Sequence, residues 1–220
     1  YKESGYVPEA LINFLAFLGW NPGTEQEIFS MDELIRAFSI ERIGKAGAKF
    51  DIQKAQWFNQ QYLRTKTNQE LAAFLLEQLK LENISCTQEK AEKICALMKE
   101  RITFPQELWE HGKFFFRTPE SFDESVVTKK WNDDAVKVIT AYRDAVERLS
   151  AFDAGIAKET LEQVTASLQI GTGKILQALR VALSGLGGGP DLMMIMEIIG
   201  KDEVVSRLTF ALKNLKQKVS

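Results

Sequence analysis

Histidine and cysteine are almost missing from this chain: one His and two Cys stand among 220 residues. A structural zinc site takes about four thiolate or imidazole ligands, and Cys86, Cys95 and His111 do not make up that set. The two thiols, nine residues apart on one loop and helix, read as small apolar packing residues in a reducing compartment. His111 reads as a loop or surface residue. Long hydrophobic runs are missing too. Nothing approaches the roughly 18 apolar residues of a membrane helix, and the start lacks the basic and apolar regions of a signal peptide. A soluble, cytoplasmic chain with no membrane partner is the expectation. There is no excess of positive charge either, since the formal net charge is -2, and phosphate attraction needs clustered Lys and Arg. The glycine-rich stretch Gly185 to Pro190 lacks the Lys and Ser or Thr of a phosphate-binding loop. The pairs Asp123-Glu124 and Asp133-Asp134 lie in polar stretches where nothing raises a carboxyl pKa, so they read as solvated charge rather than a general acid.

What is present is an ordinary globular composition, 45% hydrophobic and 26% charged, enough for one large domain or two small ones. Apolar residues recur three and four apart almost throughout, and alternating patterns are short and few, so the expected fold is all-α. Pro8 suits a first helical turn, with Gly19 as the expected C-cap. A short helix is expected over Met31 to Phe38, with Asp32 or Ser30 near its start, and a loop over Ile43 to Lys49. Asp51 can cap the helix that places Lys54, Trp57 and Gln61 on one face. Thr67-Asn68-Gln69-Glu70 has the capping-box pattern, and the break before it suggests a boundary near residue 66. Thr87 opens a helix running to the Arg101 turn, and Pro105 a further short one. Residues 112 to 132, rich in aromatics and broken by Pro119, read as a loop region with buried anchors. Helices are then expected at about Asp134 to Arg148, Ala157 to Ser167 and Thr172 to Ser184. A flexible turn follows, then a helix starting at Pro190 and another over Lys201 to Lys216.

Charge distribution can overrule the total. Arg42, Lys45, Lys49, Lys54, Arg64 and Lys66 fall within one stretch of 25 residues, while acidic pairs gather elsewhere, which leaves a basic face or a merely solvated surface. The glycine-rich turn allows backbone groups to approach a base or phosphate closely, or simply joins two helices. Arg180 before it and Pro190 and Leu192 after it could surround one splayed base, as single-stranded RNA is usually read. Met193, Met194 and Met196 could instead line a protein-binding groove, though at helical spacing they suit a core.

Several motifs go further. Gly5-Tyr6-Val7-Pro8-Glu9-Ala10-Leu11 continues through Asn13 and Leu15 to Leu18-Gly19-Trp20. Next come Glu27-Ile28-Phe29-Ser30, Phe38-Ser39-Ile40-Glu41-Arg42-Ile43-Gly44-Lys45, and Phe50-Asp51 leading to Lys54, Trp57 and Asn59, with Tyr62 and Arg64. This string resembles the segment of bacterial glutamyl-tRNA synthetases just after the ATP-handling signature loop. Leu97-Met98-Lys99-Glu100-Arg101, Leu179-Arg180-Val181-Ala182-Leu183-Ser184-Gly185 and Gly189-Pro190-Asp191-Leu192 extend the resemblance toward the end.

The resemblance implies a stem-contact helical region (1–66) followed by an anticodon-binding helical cage in two subdomains (67–148 and 149–220). Opening at Tyr1, the chain is expected to be a piece of a longer protein. The H-I-G-H and K-M-S-K-S type signatures do not occur in it. ATP and Mg are therefore expected in a separate catalytic part, no cofactor or catalytic residue is expected here, and the piece by itself should be inactive. The implied partner is a glutamate tRNA, bound by a monomer. By the same resemblance, Arg101 stands where discriminating members read the third anticodon base and some dual-specificity members have glutamine; the alternative is a charge capping the end of its helix. Arg180 matches an arginine near the anticodon, and Pro190 and Leu192 match residues packed on its bases. Gly189 stands where some members have threonine. Lys45, Lys54, Trp57 and Arg64 are expected on the tRNA-backbone side, with a buried core position as the other reading of Trp57.

Overall fold

In a computed structural model the described residues are 1, 3–44 and 49–215. Among them lie twelve α-helices and no strand, so the all-α expectation holds. The chain groups by contacts into two units, Tyr1–His111 and Gly112–Ser220. The three stretches expected from sequence divide by role; the contacts do not separate at 66 or 148. Arg64 is paired with Glu100, and Tyr142 donates a hydrogen bond to the Ala157 carbonyl.

The first unit holds α1 (Pro8–Phe17), α2 (Met31–Ala37), α3 (Ile52–Thr65), α4 (Asn68–Leu81), α5 (Gln88–Met98) and the single turn α6 (Glu107–Glu110). Local chemistry sets most of their ends. Pro8 costs α1 no hydrogen bond, because a first-turn N–H has no partner inside a helix. Ser30, not Asp32, caps α2, in a reciprocal box with Glu33, and Thr67 and Glu70 form the same box on α4. Asp51 accepts the N–H groups of Gln53 and Lys54, and Thr87 accepts that of Lys90. Gly19 is not the cap of α1. That helix stops at Phe17 with right-handed Leu18 after it, and Gly19 instead offers its carbonyl to the Gly44 N–H at 2.7 Å, beside an isolated bridge between Trp20 and Ile43.

Two buried asparagines fasten α3 to the rest of this unit. The Asn59 side chain accepts the Val7 N–H at 2.8 Å and donates to the carbonyls of Thr103, at 2.6 Å, and Gly5. Asn13 accepts the Phe29 N–H at 2.9 Å and also faces the Tyr62 hydroxyl, whose one proton is shared with the Phe29 carbonyl. Burial raises the Tyr62 phenol to about 12.

The second unit holds α7 (Glu124–Lys130), α8 (Asp133–Glu147), α9 (Ala154–Ser167), α10 (Thr172–Ser184), α11 (Leu192–Ile199) and α12 (Lys201–Asn214). Here aspartates move several helix starts from where the apolar pattern puts them. Asp123 caps α7, so the aromatic stretch contains a helix where a loop was expected. Asp153 starts α9 at Ala154, and Asp191 starts α11 at Leu192, leaving Pro190 outside the helix. Asp133 and Asp134 occupy the first turn of α8 behind the Asn132 cap, where negative charge favours the helix dipole. The core runs through Val138, Ile139 and Tyr142 of α8, Leu161 of α9, Leu179 and Leu183 of α10 and Leu208 of α12.

Arg207 lies inside this core, only 1% exposed. Its Nε donates to Glu203 at 2.7 Å, and one terminal nitrogen donates to the carbonyls of Phe114, at 2.6 Å, and Leu183, at 2.8 Å. Without Arg207 the Phe114 and Leu183 carbonyls lose this donor, and leaving a buried acceptor unsatisfied costs about 1 to 3 kcal/mol. Arg207→Ala should therefore lower the unfolding free energy of the second unit by that amount, read as a shift of the urea midpoint followed by circular dichroism.

Candidate nucleic-acid interface

The cations of the first unit are largely committed to partners within it. Arg42 donates to the Pro22 carbonyl. Lys54 is paired with Glu27 and lies 4.3 Å from the centre of the Trp57 ring. Arg64 Nε sits 2.8 Å from the Glu100 carboxylate. Trp57 is half-buried against Phe58, edge to face at 5.1 Å, and packs on the Phe14, Ala55 and Phe58 cluster, which favours its core reading. Lys45 lies outside the described residues. The expected backbone-tracking surface thus has Lys54 and Arg64 already neutralised, a pairing that spans 27 and 36 residues of sequence and leaves no local signal.

Arg101 differs. It ends a 3-10 turn, Lys99–Arg101, directly after α5, and the residues before it are tied down. Lys99 donates to the Lys66 carbonyl, and Glu100 receives Arg64 at both its carboxylate and its carbonyl. Arg101 itself is exposed and makes no side-chain hydrogen bond or ion pair among the described residues, so the helix-capping alternative gains no bond. A fixed turn presents this guanidinium to solvent.

In the second unit, the structure brings Arg180, Gly189, Pro190 and Leu192 together at the end of α10. Gly185 caps the helix in the left-handed region, at φ 76°. The following turn is braced on both sides, where a flexible one was expected. On one side, the Asp123 N–H donates to the Gly185 carbonyl at 2.8 Å, while the Asp123 carboxylate accepts the Ser125 hydroxyl and the N–H groups of Ser125, Val126 and Gly187. On the other, Arg180 donates to the Pro190 carbonyl at 2.7 Å. A Cβ built at Gly189, where φ is 147°, would sit 3.2 Å from the same guanidinium, so a side chain there crowds the bond. Pro190 is buried; it contributes its carbonyl to the brace, and its ring is not open for stacking.

Beside this turn a groove of about 330 Å³ opens between α9, α10 and the start of α11. Leu161, Leu176, Leu192 and Met193 give it apolar walls, with Arg180, Lys158 and Thr172 among its polar lining. Leu192 is only 5% exposed, whereas Leu176 keeps 36% of its surface open. Sequence reasoning named Arg180 and Leu192 but missed Leu176 and Thr172. Their spacing with Arg180, four and eight residues apart on α10, was the signal available. Arg101 belongs to the other unit and stands by itself.

The cysteines and the lone histidine take no part in these features. Cys95 is buried, its thiol raised to about 12 chiefly by desolvation, while Cys86 is half-buried and His111 exposed.

The bracing makes the glycines unequal. A Cβ at Gly185 would meet the Ser121 carbonyl oxygen at 2.5 Å and one at Gly187 would meet Val126 at 2.5 Å, whereas Gly188 has nothing within 4 Å. Left-handed backbone alone costs a non-glycine residue about 1 to 2 kcal/mol. Gly185→Ala should thus lower the melting temperature by at least about 4 °C, and Gly188→Ala should leave it unchanged. The brace is also acid-sensitive. The Ser125 hydroxyl first, then the backbone N–H groups, hold the Asp123 carboxyl below the usual aspartate range. Its stabilising contribution is complete above the unfolded value, about 3.9, and is lost as the pH falls through the lower folded one. The protection of the Gly187 amide proton against exchange, relative to an unstructured peptide at the same pH and followed by NMR, should fall across that window.

Residues 58–212 match the family model described as "Anticodon binding domain". Residues 1–57, most of the expected stem-contact region, match a different model, "tRNA synthetases class I (E and Q), catalytic domain", so the boundary between the matches falls inside α3. A glutamate–tRNA ligase of Cytophaga hutchinsonii is 49% identical over 221 residues, covering 100% of this chain and 43% of that protein. One from Amoebophilus asiaticus is 48% identical, covering 97% and 42%. The crystal structure of a glutamate tRNA ligase from Elizabethkingia meningosepticum in complex with its amino acid superposes with a TM-score of 0.93 at 42% identity, covering 98% of this chain and 43% of that one. The chain therefore spans about 43% of the length of the relatives it matches. With an anticodon-binding model covering more than half of its residues, the chain belongs to the anticodon-binding domain family, and over its length it is similar to part of glutamate–tRNA ligases.

Proposed function

We propose that this chain is the tRNA-reading part of a glutamate–tRNA ligase, positioning a glutamate tRNA and checking its anticodon. The observation that carries this reading is the pair of arginines held on anticodon-model residues: Arg101 exposed on a fastened turn, and Arg180 lining an apolar groove. Guanidinium groups suit base edges, and apolar walls suit the faces of unstacked bases. Leu192, Leu176 and Met193 supply those walls; Gly189 and Pro190 act by fixing Arg180. Lys45, Lys54, Trp57 and Arg64 remain the candidate backbone-side residues, Lys54 and Arg64 exchanging a carboxylate for a phosphate when RNA arrives. In the parent protein, ATP with Mg would supply the activation of glutamate, outside the groups this chain contributes. The protein acts as a cytoplasmic monomer in this reading. Among the described residues no helix is long and apolar enough to cross a membrane.

A dual-specificity relative that also charges glutamine tRNA is the nearer alternative, and Arg101 weighs against it. A protein-binding groove lined by methionines is weaker, because Met196 is fully buried and Met193 and Met194 half so. Fluorescence-anisotropy titration with glutamate and glutamine tRNA transcripts at two salt concentrations tests all three. The expected result is preference for the glutamate tRNA with affinity falling steeply as salt rises. Equal binding of both tRNAs favours dual specificity, and salt-insensitive or absent RNA binding favours the protein groove. Arg101→Gln should narrow the preference by about tenfold to a hundredfold, the size of one good bidentate contact. An unchanged ratio would remove Arg101 from the reading.

A further inference from the structure

The groove extends well past Arg180. Thr172, Leu176 and Arg180 share one face of α10 at successive steps of four residues, so at 1.5 Å per residue Thr172 lies about 12 Å along the helix from Arg180. Thr172 lines the groove and lies beside Thr165 of α9, their hydroxyl oxygens 2.7 Å apart. Only one proton can lie between those oxygens, and its source follows from the surroundings. Thr165 is buried, and its oxygen lies 2.9 Å from the Leu161 carbonyl and 3.1 Å from that of Glu162. Two acceptor oxygens at those separations repel unless a proton lies between them, so the Thr165 proton points at the carbonyls. The short contact to Thr172 is then made by the Thr172 proton. With that proton committed inward, Thr172 has only lone pairs left, and no group among the described residues donates to it.

We propose that Thr172 is a further RNA-reading residue, an obligate acceptor that takes a hydrogen bond from a donor on the nucleotide lying along the groove. Two kinds of nucleotide group have the required chemistry, the ribose 2′-hydroxyl and a base N–H, whether an exocyclic amine or a ring imino group. Arg180, at the other end of the same helix face, can only donate. The groove therefore presents donor and acceptor at opposite ends of an apolar floor whose middle is the part-open side chain of Leu176. The inference rests on the tRNA-binding reading and adds to it a residue that selects by hydrogen-bond direction. Lys158 on α9 is only loosely paired with Glu162, at 3.9 Å, and leaves a cation beside the same floor for the connecting phosphate.

The test is an anisotropy titration of the whole chain with the anticodon stem-loop of a glutamate tRNA, using wild type, Thr172→Val and Thr172→Ser. Valine keeps the shape and removes the acceptor, and serine restores it. Thr172→Val should weaken binding about two- to tenfold, the worth of one hydrogen bond, and Thr172→Ser should bind as wild type does. The two sources separate with modified RNA. If the donor is ribose, the valine penalty disappears with a 2′-deoxy loop; if it is a base N–H, it disappears with a loop whose bases lack the exocyclic amine or carry a methylated imino nitrogen. Equal binding by wild type and Thr172→Val, or a penalty unchanged against both modified loops, overturns the role of Thr172 alone. No binding of the stem-loop by the wild type overturns the tRNA reading and Thr172 with it. Circular dichroism melts check the fold of each variant, and Thr172→Ala replaces the valine variant if that one does not melt cooperatively.

Discussion

A guanidinium in an apolar interior is the constraint around which the second unit is arranged. Leaving Arg207 there unpaired would cost far more than any single apolar contact returns. It is tolerable because Glu203 neutralises it and two carbonyls accept its protons. Burial still weakens its hold on its proton, the Glu203 contact opposing that effect. One acceptor is Leu183, a carbonyl in the last turn of α10 that has no partner inside the helix. The other, Phe114, begins the aromatic stretch that leads to Asp123. A single side chain on α12 therefore fixes both the helix end that launches the glycine turn and the segment that braces it.

The first unit solves the same problem with neutral groups. Asn59 joins the chain before α1, the middle of α3 and the segment after Arg101 by three hydrogen bonds, with no charge to desolvate. Because its amide donates to Thr103, the backbone just beyond Arg101 is tied to α3, as Lys99 and Glu100 tie the backbone just before it. The exposed arginine thus stands on a support anchored on both sides.

Much of this was legible in the sequence where the signal is local. The box at Thr67 and the Asp51 cap depend on residues within four positions of each other, so spacing reveals them. The start of α9 was read late because the apolar stripe begins after the capping aspartate, and that of α11 was read early because Pro190 suits a first helical turn. α7 was missed because aromatic anchors and Pro119 mask a seven-residue helix whose buried side is small. At the candidate site, resemblance marked Arg101, Arg180 and Leu192, while the bracing role of Pro190 and the pairing of Lys54 and Arg64 emerged only in three dimensions. Leu176, Thr172 and Lys158 escaped because a groove built from three helices leaves on each one a pattern indistinguishable from a solvent-facing residue. The net charge of -2 is uninformative for a related reason: totals do not distinguish a lysine satisfied by glutamate from an arginine left exposed.

The two arginines also differ in when their freedom is lost. Arg180 is oriented by the Pro190 carbonyl as the protein folds, so its rotamers are restricted before any ligand arrives. Arg101, exposed and unbonded among the described residues, keeps its rotamers until binding, and ordering such a side chain costs about 0.5 to 1.5 kcal/mol. The Arg180 side chain is thus preorganised within its own unit. Arg101 stays adaptable on its own fastened turn, and any contact it makes carries the cost of ordering it.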